Sequence, residues 1–137
     1  MAHIERMIEL RPGAHPVEAG ALMRFLSAAS DCALSCRVCA QSCLEESSVA
    51  DLVTCIQLGN DCVAACEAAT MAVMRWSPGP DPRRDHAVAF VDACALTCAA
   101  CAEECERHAA MDHCRVCAEA CRRCEWECLA LAEALLT

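Results

Sequence analysis

The chain carries no alternating pattern long enough to read as a strand, no glycine-rich phosphate loop and no Ser/His/Asp set. These absences exclude a β fold, nucleotide binding and nucleophilic catalysis as expectations. Aromatic residues are few: two phenylalanines, two tryptophans and no tyrosine. The stretch Met1 to Gly13 is charged throughout and holds no apolar run of signal-peptide length, so the expected location is the cytoplasm. No apolar run is expected to reach membrane-spanning length either. Eleven basic residues face 20 acidic ones for a net charge of −9, with no basic patch, which makes nucleic acid an unexpected partner. The negative charge attracts small cations, but ordinary solubility is the commoner reason for it, so the charge only permits such a role.

What the chain has in excess is cysteine, 16 in 137 residues. That is roughly 12%, above the level at which a short chain is read as a disulfide scaffold or a metal binder. A chain of this length fits one domain and buries a core without needing cross-links. In a reducing compartment these thiols stay reduced, which favours metal or redox chemistry over a permanent disulfide framework.

Pro12, Gly13 and Pro16 break the polar start, which is irregular or holds one short helix within residues 1–15. Pro16 suits the first turn of a helix over about 16–46. Ser47 or Ser48 can cap a second helix over about 48–75. The segment Ser-Pro-Gly-Pro-Asp-Pro at 77–82 cannot be helical throughout. A third helix is expected over about 81–109 and a fourth over about 113–136, with Asp112 as its cap. Four such helices with short connections make an all-α, antiparallel up-down four-helix bundle.

The motif Cys-x3-Cys-x2-Cys-x3-Cys recurs at Cys32, Cys36, Cys39 and Cys43, at Cys94, Cys98, Cys101 and Cys105, and at Cys117, Cys121, Cys124 and Cys128. Cys114 extends the last series, and the second helix carries Cys55, Cys62 and Cys66. Steps of three and four keep each set within about 60° on one helix face. Free cysteine behaves as a small buried hydrophobe, so the stripes point inward. Antiparallel order brings all four stripes to the same half of the bundle, where the longest rises roughly 21 Å. Toward the other end the same faces become an ordinary core of Leu22, Phe25, Val73, Trp76, Phe90, Val91, Leu131 and Leu135. That plug is expected to hold the fold without metal. Met7, Met23, Met71 and Met74 fall toward it and read as core filling.

At the thiol-rich end, His108 follows Cys105 by three residues, Asp51 precedes Cys55 by four, and Met111 and His113 lie beside Cys114. Together they form a candidate outer ring that receives a metal and passes it inward, although a histidine at a helix end also serves as a cap or a solvated residue. His3, His15 and His86 read as surface residues. Trp126 points about 150° away from its stripe, as an exposed residue or a subunit contact.

Three chemistries compete for the thiols. Structural zinc uses paired cysteines on turns, and no glycine-bearing knuckle is present. Iron–sulfur ligation uses loops of the C-x2-C-x2-C-x3-C-P type, and none of these cysteines precedes a proline. A tube of thiolates suits Cu(I), a soft ion that prefers sulfur. Such a tube takes up to about 8 ions in two-coordinate sites and more if thiolates bridge. An iron–sulfur or thiol redox protein, and a general zinc or cadmium sink, remain the alternatives.

The repeated stripes and the final Cys114 to Cys128 series resemble the cytosolic four-helix-bundle copper storage proteins, over nearly the whole chain from about Val17. The resemblance implies storage of many Cu(I) ions by cysteine along the bundle core, histidine at the open end, and a homotetramer; with no catalytic motif in the chain, a binding protein and not an enzyme is expected. Gly59 departs from it, standing between Cys55 and Cys62 where a fourth cysteine of the second stripe would fit.

Overall fold

The computed structural model describes residues 2–13, 19–75 and 82–136. Pro16, His15, Trp76 and the start of the 77–82 connection lie outside the described residues. A short helix α1 (Ala2–Glu9) precedes four long ones, α2 (Ala19–Glu45), α3 (Val53–Arg75), α4 (Arg83–Glu106) and α5 (Asp112–Leu136). Among the described residues there is no strand. The expected all-α bundle is what the chain forms.

Each long helix packs against two others, in the ring order α2, α3, α4, α5. Sulfur pairs show that neighbours run antiparallel. Cys62 meets Cys98 and Cys55 meets Cys105, so rising numbers on α3 face falling numbers on α4. Likewise Cys32 faces Cys121 while Cys36 also reaches Cys117. Short connections force this order, because a helix that must pack its apolar face at once can only turn back along its predecessor.

Leu22, Phe25, Val73, Val91 and Leu131 are fully buried and Leu135 is 3% exposed, so the plug forms as expected from those residues. Phe90 does not join it and is 43% exposed. The buried line of α4 runs Ala87, Val91, Cys94, Cys98, and this phase leaves position 90 on the flank. There Phe90 borders a groove with Ala72, Arg75, Arg83 and His86. Met7 and Met71 are likewise exposed, whereas Met23 and Met74 pack partly against the core. Helix α1 closes the plug end through Ile4 and Ile8, and Arg11 Nη1 donates to the Met74 carbonyl at 3.2 Å.

Two helix starts differ from expectation. Ser48 makes no side-chain capping bond; a 3-10 turn, Val49–Leu52, leads into α3, with the Asp51 amide donating to the Ser48 carbonyl at 2.9 Å. Asp112 is the first residue of α5 and its carboxylate accepts from Arg115 at 3.1 Å. In both places backbone bonds of the tight turn satisfy the groups that a cap would have served.

The segment Val49–Arg75 has a window of mean hydropathy 1.2, long and apolar enough by length and composition to cross a membrane, contrary to the expectation that no run reaches that length. Its apolarity comes largely from cysteine, alanine and valine, and Cys55, Cys62, Val63, Cys66, Ala69 and Val73 are buried against the other helices.

Gly59 is buried on α3, and an added Cβ would meet only the Cys36 carbonyl oxygen, at 3.7 Å, an ordinary contact. Glycine in a helix interior costs about 0.5–1 kcal/mol relative to alanine through backbone entropy. Gly59→Ala is therefore expected to stabilise the reduced, metal-free protein by about that amount in denaturant unfolding. A loss of stability would show that α2 and α3 need the closer approach.

Candidate metal centre

All 16 cysteines are free and buried, none more than 4% exposed. The three-and-four spacing delivers this, since each helix turns its thiol face toward the bundle axis while Ala28, Ala29, Ala95, Ala102 and Ala118 fill the seams beside it. Small alanines let the four backbones approach closely enough for sulfurs from different helices to touch.

The contacts form a continuous ladder. Starting from the plug, Cys94 lies 3.7 Å from Cys66, and Cys66 lies 3.9 Å from Cys124. Cys62 is 3.5 Å from both Cys32 and Cys98. Cys121 is 3.7 Å from Cys32 and 3.6 Å from Cys36, and Cys117 is 3.8 Å from Cys36. Cys55 and Cys105 meet at 3.5 Å nearer the other end. Sets whose ligand atoms all lie within 4.8 Å overlap along the axis: Cys66, Cys94, Cys98, Cys124; Cys32, Cys62, Cys66, Cys98; Cys32, Cys36, Cys62, Cys121; and Cys36, Cys101, Cys117, Cys121. A thiol that belongs to two sets is placed to bridge two ions. Redox-inert structural zinc uses closed, separate four-ligand sites, which this shared ladder does not resemble.

At the open end the set is Cys39, Cys43, Cys114 and His113. His113 Nδ1 lies 3.5 Å from Cys39 Sγ and 3.5 Å from Cys114 Sγ, and its Nε2 lies 3.0 Å from Glu46 Oε1. A groove of about 290 Å³ between α2 and α5, lined by Leu34, Val38, Cys39, His113, Val116 and Cys117, reaches this set from outside. His108 stands apart from it in a different pairing, its Nε2 3.7 Å from Glu104 Oε1. Met111 is half-buried against the core. Asp51 is exposed, because the 3-10 turn shifts the phase ahead of α3 and Leu52 takes the buried position. His3 and His86 are exposed, as expected of surface residues.

The thiols do not share one electrostatic environment. Hydrogen bonding from Cys105, helped by Cys55 and His113, holds Cys39 down at about 6. Burial, with the charge of Cys39 and Cys55 nearby, pushes Cys43 up to about 12. Deeper in, Cys98 is pushed far up by hydrogen bonding with Cys124, Cys32, Cys62 and Cys66 and by burial, and Cys121 likewise by Cys101 and three other thiols. For His113 burial opposes the charged ring, but hydrogen bonds to Cys39 and Glu46 outweigh it and raise its value. The metal-free tube thus mixes thiols pushed up by burial and by their neighbours with thiols held down by hydrogen bonding, Cys39 among the latter beside the histidine.

Two carboxylates escaped the sequence reading. Glu104 is the buried charged residue of the described chain, 7% exposed, and pairs with Arg107 Nη1 at 2.9 Å as well as with His108. Its spacing of four from His108, within the helix expected over about 81–109, was a usable signal. Glu46 is 67 residues from its partner His113, and nothing local in the sequence announces that pairing.

Comparison with known proteins agrees with this geometry. The family model described as copper storage protein matches residues 18–133. The structure of the copper storage protein Ccsp from Streptomyces lividans loaded with 10 copper equivalents is 40% identical, superposes with a TM-score of 0.88, and is covered over 98% of its length by 96% of this chain. A second structure, described as a cytosolic copper storage protein from the same organism with five coppers, is 44% identical with a TM-score of 0.77, over 83% of this chain and 93% of that one. An uncharacterized cysteine-rich protein of Bacillus subtilis, YhjQ, is 36% identical over 107 residues, 78% of this chain and 92% of that protein. With its four thiol stripes closed on one axis, this chain belongs to the copper storage protein family.

Proposed function

We propose that this protein stores Cu(I) in the cytosol, holding many ions on the sulfurs of its bundle axis, and acts as a binding protein and not as an enzyme. The observation that carries the reading is the overlap of the four-sulfur sets. Cys66, Cys98, Cys32, Cys36, Cys62 and Cys121 each stand in two of them, which suits a soft ion that accepts two or three ligands and shares thiolates with its neighbours. All 16 cysteines serve as ligands: Cys32, Cys36, Cys39, Cys43, Cys55, Cys62, Cys66, Cys94, Cys98, Cys101, Cys105, Cys114, Cys117, Cys121, Cys124 and Cys128. His113 adds a nitrogen at the open end, and His108 and Met111 stand at the entrance. The described cytosolic location of the Streptomyces relative supports the compartment.

A homo-oligomer belongs to the same proposal. Leu96, Trp126 and Leu129 are 73%, 74% and 55% exposed on α4 and α5, apolar surface of the kind that subunit contacts cover. Sedimentation of the reduced protein tests it, and a monomer at micromolar concentration would remove it. The storage reading is tested by offering the reduced protein equal amounts of Cu(I) and Zn(II), then Cu(I) and Cd(II). Preferential filling with Cu(I) is expected. Equal retention of zinc or cadmium would support a general sink instead.

A further inference from the structure

Glu46 follows the last residue of α2, and its backbone is fixed on both sides. Its amide donates to the Cys43 carbonyl at 3.2 Å, and its own carbonyl accepts from Val49 at 3.2 Å. The side chain reaches across to α5 and sets Oε1 3.0 Å from His113 Nε2. A carboxylate can only accept, so the nitrogen facing it carries the proton. Neutral imidazole has one N–H, and once Nε2 holds it, Nδ1 is left with a free lone pair. That lone pair faces Cys39 Sγ and Cys114 Sγ, both at 3.5 Å.

We propose that Glu46 is a positioning residue that locks His113 in the tautomer whose Nδ1 is open to an incoming Cu(I) between Cys39 and Cys114. The inference rests on the storage reading and adds the residue that prepares its first site. Without the carboxylate, a sulfur of Cys39 or Cys114 can itself accept a proton from Nδ1, and the ring then presents a donor where the ion needs a ligand. The carboxylate also holds the ring plane, since it ties Nε2 of a side chain carried by α5 to the residue that follows α2. Partners of this kind behind a ligating histidine are worth about 10–100-fold in metal affinity. Glu104 does not play the same part for His108: its oxygen is 3.7 Å from Nε2, beyond a hydrogen bond, and Arg107 engages it at 2.9 Å.

The test uses the full reduced chain as Glu46→Ala, Glu46→Gln and the parent, with two readouts. Ring nitrogen NMR shifts of His113 in metal-free protein report the tautomer, and competition with a chelator reports affinity for the first equivalent of Cu(I). The parent is expected to show Nε2 protonated. Glu46→Ala should give mixed tautomers and bind the first equivalent about 10–100-fold more weakly, with total uptake per chain unchanged. Glu46→Gln, whose amide oxygen still accepts from Nε2, should restore the parent tautomer. Parent-like shifts and affinity in Glu46→Ala would overturn the proposal, as would loss in Glu46→Gln equal to that in Glu46→Ala. If the parent itself takes few ions, the storage reading fails, while the ring shifts still decide the role of Glu46.

Discussion

Truncating Phe25 to alanine in the reduced, metal-free protein is expected to cost about 3–5 kcal/mol, a large share of the roughly 5–15 kcal/mol that holds a domain of this kind. Phe25 is the largest fully buried side chain among the described residues, in one cluster with Leu22, Val73, Val91 and Leu131. The thiol half offers little compensation, since a free cysteine buries far less apolar surface than a phenylalanine. Loaded protein should behave differently, because ions that bind only the folded chain stabilise it by mass action. Urea unfolding followed by circular dichroism checks both states. A Phe25→Ala protein as stable as its parent without metal would mean that the plug is not what keeps the empty tube folded.

Loading is also expected to release protons at neutral pH, fewer than one for each cysteine recruited, because a ligating thiol must give up its proton and some, Cys39 among them, have already lost it. The cause is visible in the tube, where burial and neighbouring thiols push Cys98 and Cys121 well above the ordinary thiol value of 9.0. The sign for the empty fold follows. A thiol whose value is raised by folding contributes stability that is fully present below 9.0 and is lost as pH rises beyond it, while the unfolded chain ionises freely. The metal-free bundle should therefore weaken progressively above about pH 9. Cys39 runs the other way: held at about 6, it contributes above 9.0 and loses its part as pH falls through 6. Copper-loaded protein, whose thiolates are already formed, should lack the alkaline loss. Indicator-dye titration counts the protons, and thermal unfolding at pH 7 and pH 10 reads the stability. Proton-neutral uptake would mean that the thiols are ionised before metal arrives.

Much of this was legible from spacing alone. Steps of three and four fix which residues share a helix face, and a chain with no competing strand pattern can close such faces only on one another. Cys32 to Cys43 and Cys94 to Cys105 are buried for that reason. The errors lie where phase drifts or where tertiary contacts decide. Phe90 is four residues before Cys94 yet falls outside the buried line, because 3.6 residues per turn let Val91 take the inner place. Asp51 fits the stripe only if α3 extends unbroken through it, and the 3-10 turn interrupts that phase. The pairing of Glu46 with His113 depends on where the α2 and α5 ends meet, which no local pattern encodes.

The central claim is that the whole axis, and not one cysteine-rich stretch, is the storage site. Its most direct test is titration of the fully reduced protein with Cu(I) under a competing chelator, counting tightly held ions per chain. The account requires uptake to continue past about 8, as bridging thiolates accept further ions along the ladder of overlapping sets. Saturation at about four or fewer would contradict it and assign the cysteines a structural role of the closed, four-ligand kind.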